Sequence, residues 1–176
     1  MTWAERVGDA VGWRCAPYEV DRDAVEEAVG VRLPDDYVDL AARFGEGSFG
    51  GLVHVLSGLP ERQDSLVRRW WFLDLSDLAP YQPFRPGGSG LLPWGGSDRG
   101  DVYCWLADVA RDPGGWPVVV KTADGVDDSL PNGFVQFPTS ASEFLWRILF
   151  DHELAPLGVA LAGELAFEPD DGRGGP

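Results

Sequence analysis

The chain has 176 residues, of which 44% are hydrophobic, including eight tryptophans and nine phenylalanines. This length fits one domain with a sizeable core. The 29 acidic residues outnumber the 14 basic ones and give a formal net charge of −15. Such a charge repels a phosphate backbone, so we expect no direct binding of nucleic acid. It serves either to keep the protein soluble or to form an acidic surface for a basic protein partner.

The cysteines and the N-terminus bear on the cellular compartment. Cys15 and Cys104 fit no metal-binding or redox spacing. The first residues have neither the charged start nor the apolar run of a signal peptide, and no window approaches the length of a membrane span. We expect a cytoplasmic protein with reduced thiols and no membrane contact. Lys121 is the single lysine, a usage typical of GC-rich bacterial genomes.

Three helices are expected at the start of the chain. Residues 2–12 have apolar side chains at helical spacing. A second helix is expected to begin near Asp23, with Glu26 completing a capping box. The third helix has Pro34 in its first position and ends at Gly45. The i, i+3, i+4, i+7 spacing predicts its buried face, which consists of Tyr37, Leu40, Ala41 and Phe44.

The segments after the third helix are less regular. Residues 47–51 are glycine-rich and are predicted to form a loop before a short strand at 52–56. This loop lacks the lysine and the strand–loop–helix order of a phosphate-binding loop. Residues 61–79 fit either a helix or a strand, and we expect a helix. Residues 80–90 contain three prolines and three glycines, which predicts a surface loop.

Leu91–Asp108 is the stretch around which the other elements are expected to pack. It joins a short apolar segment to an aromatic strand through a polar turn. In this turn Gly100 supplies a positive φ, and Asp98 is expected to bond its own backbone. Beyond the turn, side chains alternate between two apolar faces, with Val102, Cys104 and Leu106 on one and Tyr103, Trp105 and Ala107 on the other. Because both faces are apolar, we expect a central strand between two layers.

The C-terminal third adds further strands and a helix. Residues 116–122 and 134–137 are predicted to be strands on either side of an acidic loop at 124–133. Ser140 and Glu143 have capping-box spacing at the start of a final helix. The apolar stripe of this helix contains Phe144, Leu145, Ile148 and Leu149.

The order of elements predicts a single α+β domain. Helices come first, a mostly antiparallel central sheet follows, and a C-terminal helix packs on it with the N-terminal helices. Regular β-α-β alternation is missing, which disfavours a doubly wound fold. We expect the final helix to end near Pro156. The expected divisions are an N-terminal helix and connector at 1–20, the α+β domain at 21–155, and an extension at 156–176 with a disordered acidic tail from Glu168.

No pattern of residues indicates catalysis, a cofactor or a metal site. His54 and His152 lack further ligands at fixed spacing and are interpreted as structural or surface histidines. No Gly-x-Ser-x-Gly elbow is present, although a triad assembled from distant positions stays open. Cys104 lies on an apolar strand and is expected to be a buried, unreactive thiol. We therefore expect a protein that is not an enzyme and uses no cofactor.

Several side chains have two readings. We interpret Asp98 as a turn-stabilising residue in preference to one half of an acid–base pair, and we expect Asp101 to begin the strand or to accept backbone hydrogen bonds. Trp94 is either a core residue or an interface anchor, and a core position is favoured. The acidic loop is a solvated face or, if it lies beside the turn, a patch for basic partners. Its carboxylates are Asp124, Asp127 and Asp128.

Four motifs, taken in order, resemble the SUKH superfamily, which includes the yeast Smi/Knr glucan-synthesis regulator. They are Gly30–Tyr37 with Phe44–Phe49, Leu92–Gly95 with Ser97–Trp105, Trp116–Val120, and Glu143–Leu145. The resemblance spans about residues 23–150. The chain departs from the family pattern at Arg99, where many members have Asn, and in the segment around Trp70 and Trp71.

The resemblance implies one α+β domain and a role in binding. Bacterial members are widely regarded as immunity proteins that neutralise toxins, often nucleases, delivered between competing cells. The leading hypothesis is a non-enzymatic immunity protein that covers a basic toxin stoichiometrically. The alternative is an intracellular regulatory or scaffold protein without a toxin partner. The predicted partner contacts are Glu46, Trp94, Asp98, Arg99, Asp101, Asp124, Asp127 and Asp128.

Overall fold

A computed structural model describes residues 1–56, 66, 78–122, 133–151 and 165–170. Its helices are α1 Trp3–Ala10, α2 Arg22–Val29, α3 Asp35–Phe44 and α4 Ala141–Phe150. Its strands are β1 Gly47–Phe49, β2 Val53–Val55, β3 Ser89–Ser97, β4 Val102–Asp108, β5 Val118–Lys121, β6 Phe134–Phe137 and β7 Phe167–Pro169. A 3₁₀ turn at Pro113–Gly115 connects β4 to β5.

The strands form one sheet in the order β6-β5-β4-β3-β2-β1-β7, and all neighbouring pairs are antiparallel. Helices α1, α3 and α4 contact one another and share one core with the sheet. The predicted α+β class, with helices packed on an antiparallel sheet, is confirmed. None of the helices in the described part of the chain is long and apolar enough to cross a membrane.

Short polar caps set the starts of α1 and α2. Thr2 and Glu5 form a complete capping box, in which the Thr2 N–H donates to the Glu5 carboxylate at 2.6 Å. The cap of α2 is Asp21, whose carboxylate accepts a hydrogen bond from the Ala24 N–H at 3.0 Å. The predicted capping box on Asp23 is wrong, because the chain enters the helix before that residue.

Helix α3 confirms its predicted apolar stripe. All four residues of that stripe are at most 1% exposed, namely Tyr37, Leu40, Ala41 and Phe44. Pro34 precedes the first helical residue in place of occupying it, so the predicted start is one residue early. The helix ends at Gly45, which has φ +68°, a value that favours glycine.

Helix α4 is shorter than predicted. Ser140 caps it by accepting a hydrogen bond from the Glu143 N–H at 3.3 Å. The Glu143 carboxylate turns instead to Arg147 at 2.6 Å, so only half of the predicted capping box forms. The helix ends at Phe150 and not near Pro156, because the next residue has left the helical conformation. Its predicted stripe is buried and faces the sheet.

The two faces of β4 contribute to two separate cores, as predicted. On the helix side, the Trp105 ring lies 5.0 Å from that of Tyr37, and the Tyr103 ring lies 5.2 Å from that of Phe144. On the other side, Cys104 belongs to a smaller cluster that also contains Leu78, Leu91, Val119 and Phe134. The strand is therefore central, with apolar layers on both faces.

A bulge in β3 places Trp94 in the core. The register shifts between Pro93 and Gly95, so that Trp94 is an extra residue opposite the β4 ladder. The Trp94 ring is completely buried and lies 5.7 Å from that of Tyr103. A Cβ atom on Gly95 would lie 2.8 Å from the His54 carbonyl oxygen. Only glycine therefore fits beside the buried indole.

The segment predicted as a loop at 47–51 contains a strand. Gly47–Phe49 is β1, and it forms a hairpin with β2. The turn residues Gly50 and Gly51 have φ of +58° and +68°, which suits a tight hairpin turn with two positive φ angles. The prediction failed because the glycines of the turn make the whole segment look like a loop, and a strand of only three residues gives no clear sequence pattern.

Strand β7 adds a C-terminal segment to the edge of the sheet. It pairs with β1, so the expectation of disorder from Glu168 onward is wrong for Glu168 and Pro169. Phe167 supplies the physical reason, because its ring lies 4.9 Å from the rings of both Phe44 and Phe49. One buried aromatic side chain thus anchors the strand.

Three predictions fall on residues outside the described ranges. They are most of the helix expected at 61–79, the acidic loop at 124–132, and the tail from residue 171 onward. Within the first of these, Leu66 and Leu78 are described and buried.

We predict that Gly95→Ala destabilises the protein by about 1–3 kcal/mol, because the added methyl group overlaps a strand carbonyl and forces the bulge to move. Gly115→Ala is the matched control, since a Cβ there has no atom within 4 Å, and its stability is expected to be unchanged or slightly higher. Urea unfolding of both variants measures the difference. Equal stability of the two variants would show that the bulge tolerates a side chain.

Candidate partner-binding end of the sheet

Three connections leave the sheet at the same end. The register pairs Val53 with Ser97, Val102 with Lys121, and Lys121 with Phe134. The β1–β2 turn, the β3–β4 turn and the β5–β6 connection are therefore neighbours. We name this region the hairpin end, and its described residues are Gly50–Leu52, Asp98–Asp101, Lys121, Thr122 and Gly133.

The β3–β4 turn is a three-residue loop closed by the backbone. The Gly100 N–H donates to the Ser97 carbonyl at 3.0 Å, and the Ser97 N–H donates to the Asp101 carbonyl at 2.9 Å. Gly100 has the predicted positive φ, at +92°, as in hairpins that combine a type I turn with a following glycine. This geometry leaves the side chains of Asp98 and Arg99 exposed.

Asp101 holds the turn from the inside. The residue is only 7% exposed, and its carboxylate accepts a hydrogen bond from the Ser97 hydroxyl at 2.7 Å. The Arg99 guanidinium lies 3.4 Å from the same carboxylate. The expected bond from the Asp98 side chain to its own backbone does not form, because Ser97 and Asp101 already satisfy the turn. The Asp98 N–H instead donates to the Leu52 carbonyl at 2.9 Å and joins the two turns.

Burial suppresses the reactivity of two side chains on β4. Burial raises the pKa of the Tyr103 hydroxyl above its usual range, and the nearby Asp101 carboxylate raises it further. Burial also raises the pKa of the Cys104 thiol, which is completely buried. Because the thiolate is the reactive form, we expect Cys104 to react slowly at neutral pH. The predicted burial of this thiol is confirmed, and its low reactivity stays a prediction.

The predicted partner contacts fall in different places. Asp98, Arg99 and Asp101 lie together on the β3–β4 turn. Trp94 is completely buried, because the bulge directs its indole into the core, so the structure places it away from any surface. Glu46 precedes β1 and lies at the end of that strand remote from the turn.

The three remaining predicted contacts, Asp124, Asp127 and Asp128, lie outside the described residues. The residues that flank their segment, Thr122 and Gly133, are both at the hairpin end. The N–H and the hydroxyl of Thr122 each donate to the Gly133 carbonyl at 2.9 Å. The two residues that flank the segment in sequence therefore lie beside the β3–β4 hairpin.

The histidine on β2 is a surface residue. His54 is exposed, and it pairs with Ser48 on one side and Gly96 on the other. Across the described ranges, no three His, Cys, Asp or Glu residues are grouped so that they could hold a metal ion. His152 falls outside those ranges.

A cleft that the sequence analysis missed lies at the opposite end of the sheet. Its volume is about 170 Å³, and it opens between the start of α3, the 3₁₀ turn and the cap of α4. Three carboxylates and one guanidinium line it, among the residues Arg32, Leu33, Asp35, Asp36, Asp112, Pro113, Gly114 and Ser140.

Asp36 joins α3 to α4 beside this cleft. Its carboxylate accepts hydrogen bonds from the Ser142 N–H at 3.0 Å and from the Ser142 hydroxyl at 3.1 Å. Such a carboxylate satisfies a free N–H and complements the positive end of the helix dipole. The sequence signals an acidic first turn in α3, but the pair is 106 residues apart, so local spacing cannot reveal it.

Comparison with protein families finds a match for most of the chain. The family SUKH_6, described as SMI1-KNR4 cell-wall, matches residues 21–145. No curated protein and no solved structure matches the chain. The matched range includes the hairpin end and the lining of the cleft, and it leaves out α1 and the second half of α4.

Asp101→Ala is expected to lower the free energy of unfolding by about 1.5–3 kcal/mol, because it removes a buried carboxylate that accepts hydrogen bonds. The exposed Asp98 offers a matched control, and Asp98→Ala is expected to change stability by no more than about 0.5 kcal/mol. Chemical denaturation followed by tryptophan fluorescence measures both values. An equal loss of unfolding free energy in the two variants would refute the role of the buried Asp101 carboxylate in stabilising the turn.

Cys104 should resist alkylation in the folded protein, because its thiol is buried and its pKa is raised. Iodoacetamide at pH 8 is expected to label only Cys15, which is partly exposed, and to label both cysteines in guanidinium chloride. Mass spectrometry of the peptides gives the site. Native labelling of Cys104 at a rate similar to that of Cys15 would contradict its placement in the core.

Proposed function

Because the chain belongs to the SUKH superfamily, as the match over residues 21–145 establishes, we propose that it is a cytoplasmic immunity protein. In this proposal it is not an enzyme, and it neutralises a basic bacterial toxin by binding it stoichiometrically. The hairpin end is the proposed contact surface. It would cover the basic site of the toxin and keep the toxin's substrate out.

The positions of Asp98 and of the two residues that flank the acidic segment support this surface most directly. Asp98 is exposed on the β3–β4 turn. Thr122 and Gly133, which contact each other at the same end of the sheet, flank in sequence the segment that carries Asp124, Asp127 and Asp128. Four carboxylates thus belong to connections that leave one edge of the fold. A basic partner is attracted to such a region both at long range and on contact.

Rigidity of the turn supports the same proposal. The Ser97–Asp101 hydrogen bond and the Asp98–Leu52 backbone bond fix the turn in one geometry. A surface that is ordered before binding loses less conformational entropy when the complex forms. In the proposed complex, the buried Asp101 holds the turn in place. The exposed side chains of Asp98 and Arg99 then contact the partner.

A regulatory or scaffold protein without a toxin partner is the alternative function within the same superfamily. Gene neighbourhood separates the two, since immunity genes are expected next to toxin genes. The experiment is co-expression of this chain with the product of the adjacent gene in a host that the product kills. Rescue of growth and co-purification of a 1:1 complex are expected, and failure to bind or rescue would count against toxin neutralisation.

The contact surface is tested by a variant in which four carboxylates are replaced, Asp98→Asn, Asp124→Asn, Asp127→Asn and Asp128→Asn. Its association rate with the partner is expected to fall about tenfold at low salt, since steering depends on local charge. The control removes four exposed carboxylates elsewhere, through Glu19→Gln, Asp23→Asn, Glu27→Gln and Asp39→Asn. Stopped-flow fluorescence gives the rates, and equal losses in the two variants would rule out the hairpin end.

A further inference from the structure

Four side chains of α1 and α4 form a patch on the outer surface of the helix layer. The rings of Trp3 and Trp146 lie 6.2 Å apart, and those of Trp146 and Phe150 lie 4.5 Å apart. The Arg6 guanidinium covers both indoles, at 4.2 Å from the Trp3 ring centre and 4.8 Å from that of Trp146. We name these four residues the indole–arginine patch.

The patch packs on the core but is not fully buried with it. Its three aromatic side chains are half-buried, and Arg6 is exposed. The inward residues of the same helices, such as Val7 and Phe144, are completely buried. All four residues of the patch also lie outside the range 21–145 that matches the family. The patch therefore belongs to the part of the surface that this chain adds to the matched region.

The charge of the patch is opposite to that of the molecule. Within the described part of the chain, the Arg6 guanidinium contacts the two rings and no carboxylate lies within ion-pair distance. The neighbouring charges are already paired, Arg147 with Glu143 at 2.6 Å and the Met1 amine with Glu5 at 3.8 Å. Among the described residues, no carboxylate thus compensates the positive charge that lies on the two indoles, in a chain of net charge −15.

We propose that the indole–arginine patch is a second interaction surface, which binds a protein segment that presents a carboxylate next to an apolar side chain. A guanidinium stacked on rings keeps the N–H groups at its edge free, and these match the two oxygens of a carboxylate. The rings of Trp3, Trp146 and Phe150 receive the apolar side chain. Tryptophan and arginine are also the residues enriched at binding hot spots.

This surface is independent of the proposed function, because the hairpin end favours a basic partner and the indole–arginine patch an acidic one. Two partners, or two regions of one partner, could therefore bind at the same time. The charge at each surface sets which segment each one accepts.

The test titrates the ¹⁵N-labelled full chain with the peptide acetyl-Leu-Glu-Phe-amide and, separately, with acetyl-Leu-Gln-Phe-amide. The indole N–H signals of Trp3 and Trp146 are expected to shift with the glutamate peptide, and the glutamine peptide is expected to bind about fivefold more weakly. Arg6→Gln should abolish this preference. Arg6→Lys should retain part of it, since lysine keeps the charge but loses the two-pronged geometry.

Arg111→Gln is the control, because Arg111 is exposed and its loss removes the same charge from the connection between β4 and β5, outside the patch. This variant should keep the full preference for the glutamate peptide. Equal binding of the two peptides, no shift with either, or an unchanged preference in Arg6→Gln would overturn the proposal. A shift of both indole signals on dilution of the protein alone would identify a second copy as the occupant and would also overturn it. No toxin takes part, so the outcome is separate from that of the rescue experiment.

Discussion

The insertion of Trp94 into β3 is the constraint on which much of the structure depends. One extra residue reverses the alternation of side chains along the strand. The indole then lies under α4, with its ring 6.0 Å from that of Phe144. The remaining residues of β3 pair with β4 in the shifted register and lead directly into the turn that Ser97 begins. An irregularity in the core thereby sets the geometry of the hairpin end.

The two ends of the sheet are stabilised by the same kind of contact, a carboxylate that accepts hydrogen bonds from a serine. Asp101 bonds Ser97 within the turn, whereas Asp36 bonds Ser142 between two helices. Charge-assisted bonds of this kind are stronger than neutral ones. In a chain with a large excess of carboxylates, these two carboxylates stabilise the fold by accepting hydrogen bonds. In the proposed complex, the exposed carboxylates attract the basic partner.

Sequence periodicity predicts the parts of this fold that bury a continuous stripe or an alternating face. It therefore identifies α3, α4 and both faces of β4. It misses β1 and β7, because strands of three residues contain too little pattern and are defined by their pairing in the sheet, β1 with β2 and β7, and β7 with β1. It leaves Trp94 between a core position, which is favoured, and an interface anchor, because a bulge changes the phase of a strand without changing its composition; the complete burial of the side chain agrees with the core position. Local turn preferences likewise predict that the Asp98 side chain accepts the hydrogen bond that stabilises the turn, whereas the buried Asp101 carboxylate does so.

The location of the single lysine affects how this protein can be attached to a surface. Lys121 ends β5 at the hairpin end, beside the residues that flank the acidic segment in sequence. Coupling through amines has only this side chain and the N-terminus to use. Immobilised molecules would therefore be held either by the proposed contact surface itself or next to α1 and the indole–arginine patch. A tether at another position leaves both surfaces open to solution.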